Sequence, residues 1–209
     1  MAELKTLPLF PLNIVGYPGE RLNLHIFEPR YKQMVTECLE TGNTFGLPAF
    51  IDKKVMDFGT EMKVVELVKT YDDGKMDIRC EGVSVFRIIE FFQLMPDKLY
   101  MGARVSVKDV DYNYELEQQT LMLNLLDELF NEIGLSKKFD EVNAYAVAHY
   151  VGFTLKQEYE LLSKFTEAER MQYIIDHITQ ILPNIKRGKL IRDRIQMNGH
   201  FRKFDPLDL

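Results

Sequence analysis

A chain of 209 residues with 46% hydrophobic and 28% charged side chains has the make-up of an ordinary folded protein, not of a disordered one. At that length it buries roughly 70% of the surface its unfolded form exposes, and one large domain or two small ones both fit. The formal net charge of −6 disfavours broad nucleic-acid binding, which needs surplus Lys and Arg to neutralise phosphates.

Residues 1–15 hold a single Lys and an apolar stretch broken by Pro8 and Pro11, which fits neither a signal peptide nor a transit peptide. No apolar run approaches bilayer length. A cytoplasmic location without membrane contact is therefore the expectation. Cys38 and Cys80 lie far apart without C-x-x-C spacing, and they read as reduced core thiols.

The first half alternates with the period of strands. Leu22, Leu24 and Ile26 alternate with Asn23 and His25, and Met101, Ala103, Val105 and Val107 with Gly102, Arg104, Ser106 and Lys108. Residues 64–68 and 76–80 flank Tyr71-Asp72-Asp73-Gly74, a hairpin in which Asp73-Gly74 is expected to supply positive φ angles. One helix interrupts the strands, with Pro29 at its first position, Tyr31, Met34, Val35 and Leu39 at helical spacing, and Gly42 as its stop. Six or so short strands and one helix predict a partly open β-barrel.

From about Tyr114 the period becomes helical. Met122, Leu125, Leu126, Leu129, Phe130 and Ile133 form one apolar stripe, and residues 142–151 read as a second helix that Gly152 ends. Thr154/Gln157 and Thr166/Glu169 have capping-box spacing and mark two further helix starts. The last helix is expected to end or kink at Pro183. The fold class is thus α+β: a β-domain with one helix over residues 1–113, and a helical bundle with a basic tail over residues 114–209.

Several chemistries lack their signatures. Neither Gly74-Lys75 nor Gly188-Lys189 belongs to a G-x-x-x-x-G-K-[ST] loop, which excludes a P-loop ATPase. None of Ser84, Ser106, Ser136 and Ser163 sits in a nucleophile elbow. His25, His149, His177 and His200 are dispersed, without H-E-x-x-H or other metal spacing. Asp72-Asp73 and Asp127-Glu128 read as solvated surface pairs. No catalytic residue, cofactor or metal ligand is expected.

The most specific pattern is Leu7-Pro-Leu-Phe-Pro-Leu12, then Tyr17-Pro-Gly-Glu20, then Leu22-x-Leu-x-Ile-Phe-Glu-Pro-Arg-Tyr31. In order and spacing it resembles the opening of the Lon protease N-terminal domain family. Phe58-Gly-Thr60, Glu81-Gly-Val-Ser-Val-Phe-Arg-Ile88, Lys156-Gln157, Leu161-Leu162 and Arg170 extend the resemblance through the helical half. Residues 84–86 depart from the family's strand element, so Arg87 inherits no role. The resemblance implies a PUA-like, partly open β-barrel followed by a C-terminal helical bundle, used to recognise protein substrates without the ATPase or the Ser-Lys peptidase.

Most of the signature reads as barrel scaffolding. Its functional reading lies on the polar face of the 22–26 strand, beside the loop at residues 16–19. Tyr17, His25 and Phe27 are the candidate peptide contacts, an exposed aromatic next to an unpaired strand edge being suited to an extended peptide. The expected partners are unfolded or specific polypeptides, with a separate protease or chaperone, in an adaptor or regulatory role in proteolysis or protein quality control.

The alternative is a PUA-like RNA-binding protein using its tail. Residues 184–204 carry seven basic side chains against Asp193, a local +6 that leaves the rest of the chain at −12. Arg187, Lys189, Arg192 and Arg194 are the candidate tail contacts. Packing of Ile185, Leu190, Ile191 and Ile195 on the acidic bundle is the plainer expectation. An RNA module should carry its basic surplus on the β-domain, so protein binding ranks first and nucleic acid is disfavoured.

Overall fold

The alternating first half folds into one antiparallel six-stranded sheet, described by a computed structural model for residues 3–108, 110–137, 139 and 142–201. Its strands are β1 (Glu3–Pro8), β2 (Arg21–Ile26), β3 (Phe45–Ile51), β4 (Lys54–Thr70), β5 (Met76–Phe92) and β6 (Gly102–Lys108). They run in the order β1-β6-β5-β4-β3, and β2 pairs the part of β5 that β6 leaves free. The sheet is not closed. Leu9 and Leu12, just after β1, make only isolated bridges to Gly46 and Ala49 of β3, so the barrel is partly open, as expected.

Two strands are longer than the alternation implied. β4 and β5 each span 17 residues, and bulges in their pairing, with Val65 and Val68 extra on β4 and Val83 extra on β5, break the period of two. Their hairpin turn also differs from expectation. Only Gly74 has positive φ, at 75°, and Asp73 does not. Tyr71 N–H donates to the Lys75 carbonyl at 2.9 Å, and Gly74 N–H to the Tyr71 carbonyl at 2.8 Å. A three-residue loop ending in a left-handed glycine results.

Helix α1 (Pro29–Thr41) starts on Pro29 and is capped by Gly42 in the left-handed conformation. Its buried face of Tyr31, Met34, Val35 and Cys38 packs on Ile26, Met62, Ile78 and Cys80 of the sheet. Each large apolar side chain so buried contributes about 1.5–3 kcal/mol. Both cysteines are free and buried, and burial pushes Cys38 up to about 11 and Cys80 up to about 12, so neither is a ready nucleophile.

Inside the barrel, buried Glu61 accepts hydrogen bonds from Lys5 (2.5 Å), Thr44 (2.6 Å) and Ser84 (2.7 Å), tying β1, β4, β5 and the residue before β3 together. Burial alone would raise its carboxyl. The three donors outweigh that and hold it below the ordinary value.

The second half is helical: α2 (Leu116–Ile133), α3 (Ala144–Val147) with a 3-10 turn (Ala148–Tyr150), α4 (Leu155–Ser163) and α5 (Glu167–Phe201). Where one helix was expected over 142–151, a four-residue helix and a 3-10 turn form before left-handed Gly152. Both expected caps are present. Thr154 and Gln157 form a capping box, and Thr166 and Glu169 exchange backbone-to-side-chain bonds of 3.0 and 3.2 Å.

Of the two outcomes expected at Pro183, the end of the helix does not occur. Helix α5 continues through it, although proline withdraws one backbone donor. Contacts beyond it hold the helix: Ile185 packs on the bundle core, and Lys186 and Lys189 pair with Glu128 and Glu132 of α2. One apolar cluster runs from Val15, Tyr17, Ala49, Ile51 and Val85 of the sheet half into all four helices. Sheet and bundle therefore bury each other.

Candidate functional site

The three candidate contacts separate into two places. Tyr17 is 1% exposed, which corrects its expected role as an exposed contact. The loop carrying it turns back onto β5: Gly19 N–H donates to the Gly82 carbonyl and Gly82 N–H to that of Glu20, both at 2.9 Å. A Cβ on Gly82 would stand 2.1 Å from the Tyr17 carbonyl oxygen, so this approach requires glycine. The loop drives the Tyr17 ring inward, where it stacks on Tyr145 with centroids 5.0 Å apart. Its hydroxyl donates to the Glu158 carbonyl at 3.1 Å.

Around that ring, polar groups lock sheet to helices. His149 Nδ1 lies 2.7 Å from Glu158 Oε1, and its Nε2 3.1 Å from Glu20 Oε1. Glu20 Oε2 also accepts from the Tyr17 backbone N–H at 2.9 Å. Burial by itself would lower the imidazole, but the two carboxylates prevail and raise it to about 10. The result is a charged clamp at the edge of a cleft of about 710 Å³ between the 17–21 loop and α3. The sequence reads His149 as structural but does not show its partners, because Glu20 lies 129 residues away in the chain.

His25 and Phe27 come together at the other place. Phe27 is 59% exposed, and its ring stacks on His25 with centroids 6.1 Å apart. His25 Nδ1 lies 2.6 Å from Asp77 Oδ1, and the Tyr71 hydroxyl donates to Asp77 Oδ2, also at 2.6 Å. The bonds from Tyr71 and His25 hold the Asp77 carboxyl below its usual value. This support fixes an imidazole beneath the exposed phenyl ring.

Beside that stack runs a groove of about 210 Å³. One wall is β2 with Phe27 and Glu28, the other Phe10 and Leu12, and Tyr31 of α1 contributes to the lining. Phe10, Ile26 and Tyr31 are buried, and Leu12 and Leu24 half-buried, giving the groove an apolar floor. Among the described residues β2 pairs with β5 alone, so its groove-side edge carries no strand. The groove is the gap left where the open sheet fails to close. In the sequence Phe10, Leu12 and Tyr31 read as scaffold, and no local signal marks them otherwise.

The tail candidates are placed differently. Arg187 is exposed on α5, and Lys189 is 3.2 Å from Glu132. Arg192 and Arg194 have side chains outside the described ones. Lys186 likewise pairs with Glu128, so the part of the tail in view spends lysines on the acidic bundle. Leu190, expected to pack there, is 60% exposed. Nothing in this arrangement supports RNA binding. Among the described residues no three His, Cys, Asp or Glu side chains are placed to hold a metal. No described helix is long and apolar enough to cross a membrane.

An open antiparallel sheet with an apolar groove at a free strand edge, backed by a helical bundle, defines an α+β domain of the Lon N-terminal type. A family model described as the ATP-dependent protease La (LON) substrate-binding domain matches residues 6–180, and the chain belongs to that family. Among solved structures it is similar to a Lon N-terminal domain protein from Xanthomonas campestris, with TM-score 0.66 and 24% identity over 82% of this chain and 98% of that one. It is also similar to the N-terminal domain of Mycobacterium avium complex Lon protease, with TM-score 0.61 and 14% identity over 84% and 98%. At these identities the likeness is one of fold.

Proposed function

We propose that this substrate-binding-family domain recognises polypeptides in extended form, and that the groove between β2 and residues 10–12 is where it does so. The observation that carries the reading is the free edge of β2 beside an apolar floor, with Phe27 held out into solvent by the His25–Asp77–Tyr71 support. An extended segment laid along β2 gains backbone hydrogen bonds from the strand edge and apolar burial from the floor. Phe27 and His25 line that path, and Tyr17 acts indirectly by holding the sheet against the bundle.

The role is recognition without catalysis, as an adaptor or regulator that presents bound chains to a separate protease or chaperone. Cytoplasmic residence accords with two buried, unpaired thiols. The test is fluorescence anisotropy with labelled, apolar-rich peptides of about ten residues, against the wild type, Phe27→Ala and Leu24→Asp. Both variants should bind about tenfold or more weakly, one losing an aromatic contact and the other placing a charge on the floor. Unchanged affinity in both, with folding intact, overturns this site.

A further inference from the structure

We infer that two copies of this chain associate through the free edge of β4, antiparallel about a twofold axis between Leu67 and Val68. β3 pairs β4 only up to Met62, so from Lys63 onward β4 has β5 on one side and no strand on the other among the described residues. That stretch exposes Val65 (47%), Leu67 (43%) and Val68 (49%), three aliphatic side chains within four residues. A free, apolar strand edge is a template for another strand.

Charge identifies the second strand. In this register Glu66 faces the partner's Lys69 and Lys69 faces the partner's Glu66, while Leu67 faces the partner's Val68. The edge is thus complementary to itself, as an isologous contact requires.

Backbone geometry permits the match. Residues directly opposite across an antiparallel pair project from the same face, whereas residues three apart on a regular strand lie on opposite faces. Val68 is the extra residue of a bulge, so Glu66 opposes Arg79 and Lys69 opposes Asp77, two β5 positions on one face. The bulge therefore brings Glu66 and Lys69 to the same, solvent-facing side. Both are available there: Glu66 is about half exposed while pairing with Arg79, and among the described residues Lys69 makes no ion pair, its Nζ lying 4.3 Å over the Tyr71 ring.

A contact of one short strand per copy is small, so a weak dimer with Kd on the order of 10–100 µM is expected. Sedimentation equilibrium from about 1 µM to 1 mM, with circular dichroism as a folding check, tests it on the full chain. Each single reversal, Glu66→Lys or Lys69→Glu, sets like charges opposite each other twice and should weaken self-association about tenfold. An equimolar mixture of the two should recover it. In that heterodimer one copy carries lysine at both positions and the other glutamate at both, so each cross-strand pair again joins opposite charges. Neither variant's own folding changes on mixing, so recovery isolates the contact. A wild type that stays monomeric to 1 mM overturns the inference. So does association that neither reversal weakens, or a mixture no tighter than its components.

Discussion

Two aromatic clusters flank the same strand-and-loop signature and meet opposite fates. Tyr17, Tyr145 and His149 lie between sheet and bundle, with Tyr17 and Tyr145 at 1% and 3% exposure and the imidazole held between two carboxylates. Phe27, His25 and Tyr71 sit at the surface, with His25 and Tyr71 both bonded to Asp77 but the phenyl face left to solvent. Each cluster thus holds an imidazole on a carboxylate and a tyrosine hydroxyl on an acceptor, and that support does not distinguish scaffold from site. What distinguishes them is the apolar surface left uncovered beside an unpaired strand edge.

The contrast breaks first at Tyr17. Tyr17→Ala should cost about 3–5 kcal/mol in urea unfolding, through the cavity left between the two halves. Peptide binding under folding conditions should stay within about twofold of wild type. A large affinity loss with little destabilisation would reverse the assignment of Tyr17.

Glu61 probes the interior in the same way. Glu61→Ala should cost about 3 kcal/mol, because it removes the buried acceptor shared by the half-buried donors Lys5, Thr44 and Ser84. Glu61→Gln keeps an acceptor for some of them and should cost less. Equal losses in the two variants would mean that the network matters only as filled volume.

The His149 clamp makes a pH-dependent contribution of about 1–2 kcal/mol, reduced by its partial exposure. Its imidazole is raised from the ordinary 6.5 to about 10 in the folded protein. The folded state therefore binds the extra proton between those values, and stability from this group is complete below pH 6.5 and falls as pH rises through about 10. In His149→Gln the deficit relative to wild type should be largest near pH 6 and shrink toward about pH 10. A deficit constant over that range would remove the charge from the account.

Phe27→Ala should be the mildest change to stability, within about 0.5 kcal/mol, since most of its ring is already in water. Its effect belongs to peptide affinity. A destabilisation of about 2 kcal/mol or more would move Phe27 from the site to the scaffold and erase the contrast.

Much of the architecture was legible because it rests on local physics. Pro29 and Gly42 bracket α1, Thr154 and Thr166 start α4 and α5, and the 22–26 alternation makes β2. Errors arose where long-range contacts overrule local preference. Pro183 failed to stop α5 because Ile185, Lys186 and Lys189 find partners on the bundle. The β3–β4 turn passed unseen because Asp52 and Lys53 adopt positive φ without a glycine to announce it.

The sequence by itself determined the kinds of element, their order and the family, because capping residues, turn residues and hydrophobic period act within a few positions of the chain. Only the tertiary structure decided which aromatic of the signature faces water. Tyr17 and Phe27 are ten residues apart in similar surroundings of Pro and Gly or acidic neighbours. Burial of Tyr17 follows from the close approach of its loop to Gly82, and exposure of Phe27 from the absence, among the described residues, of a strand on the groove side of β2. Neither depends on nearby residues, because burial is a property of what the fold brings against a side chain.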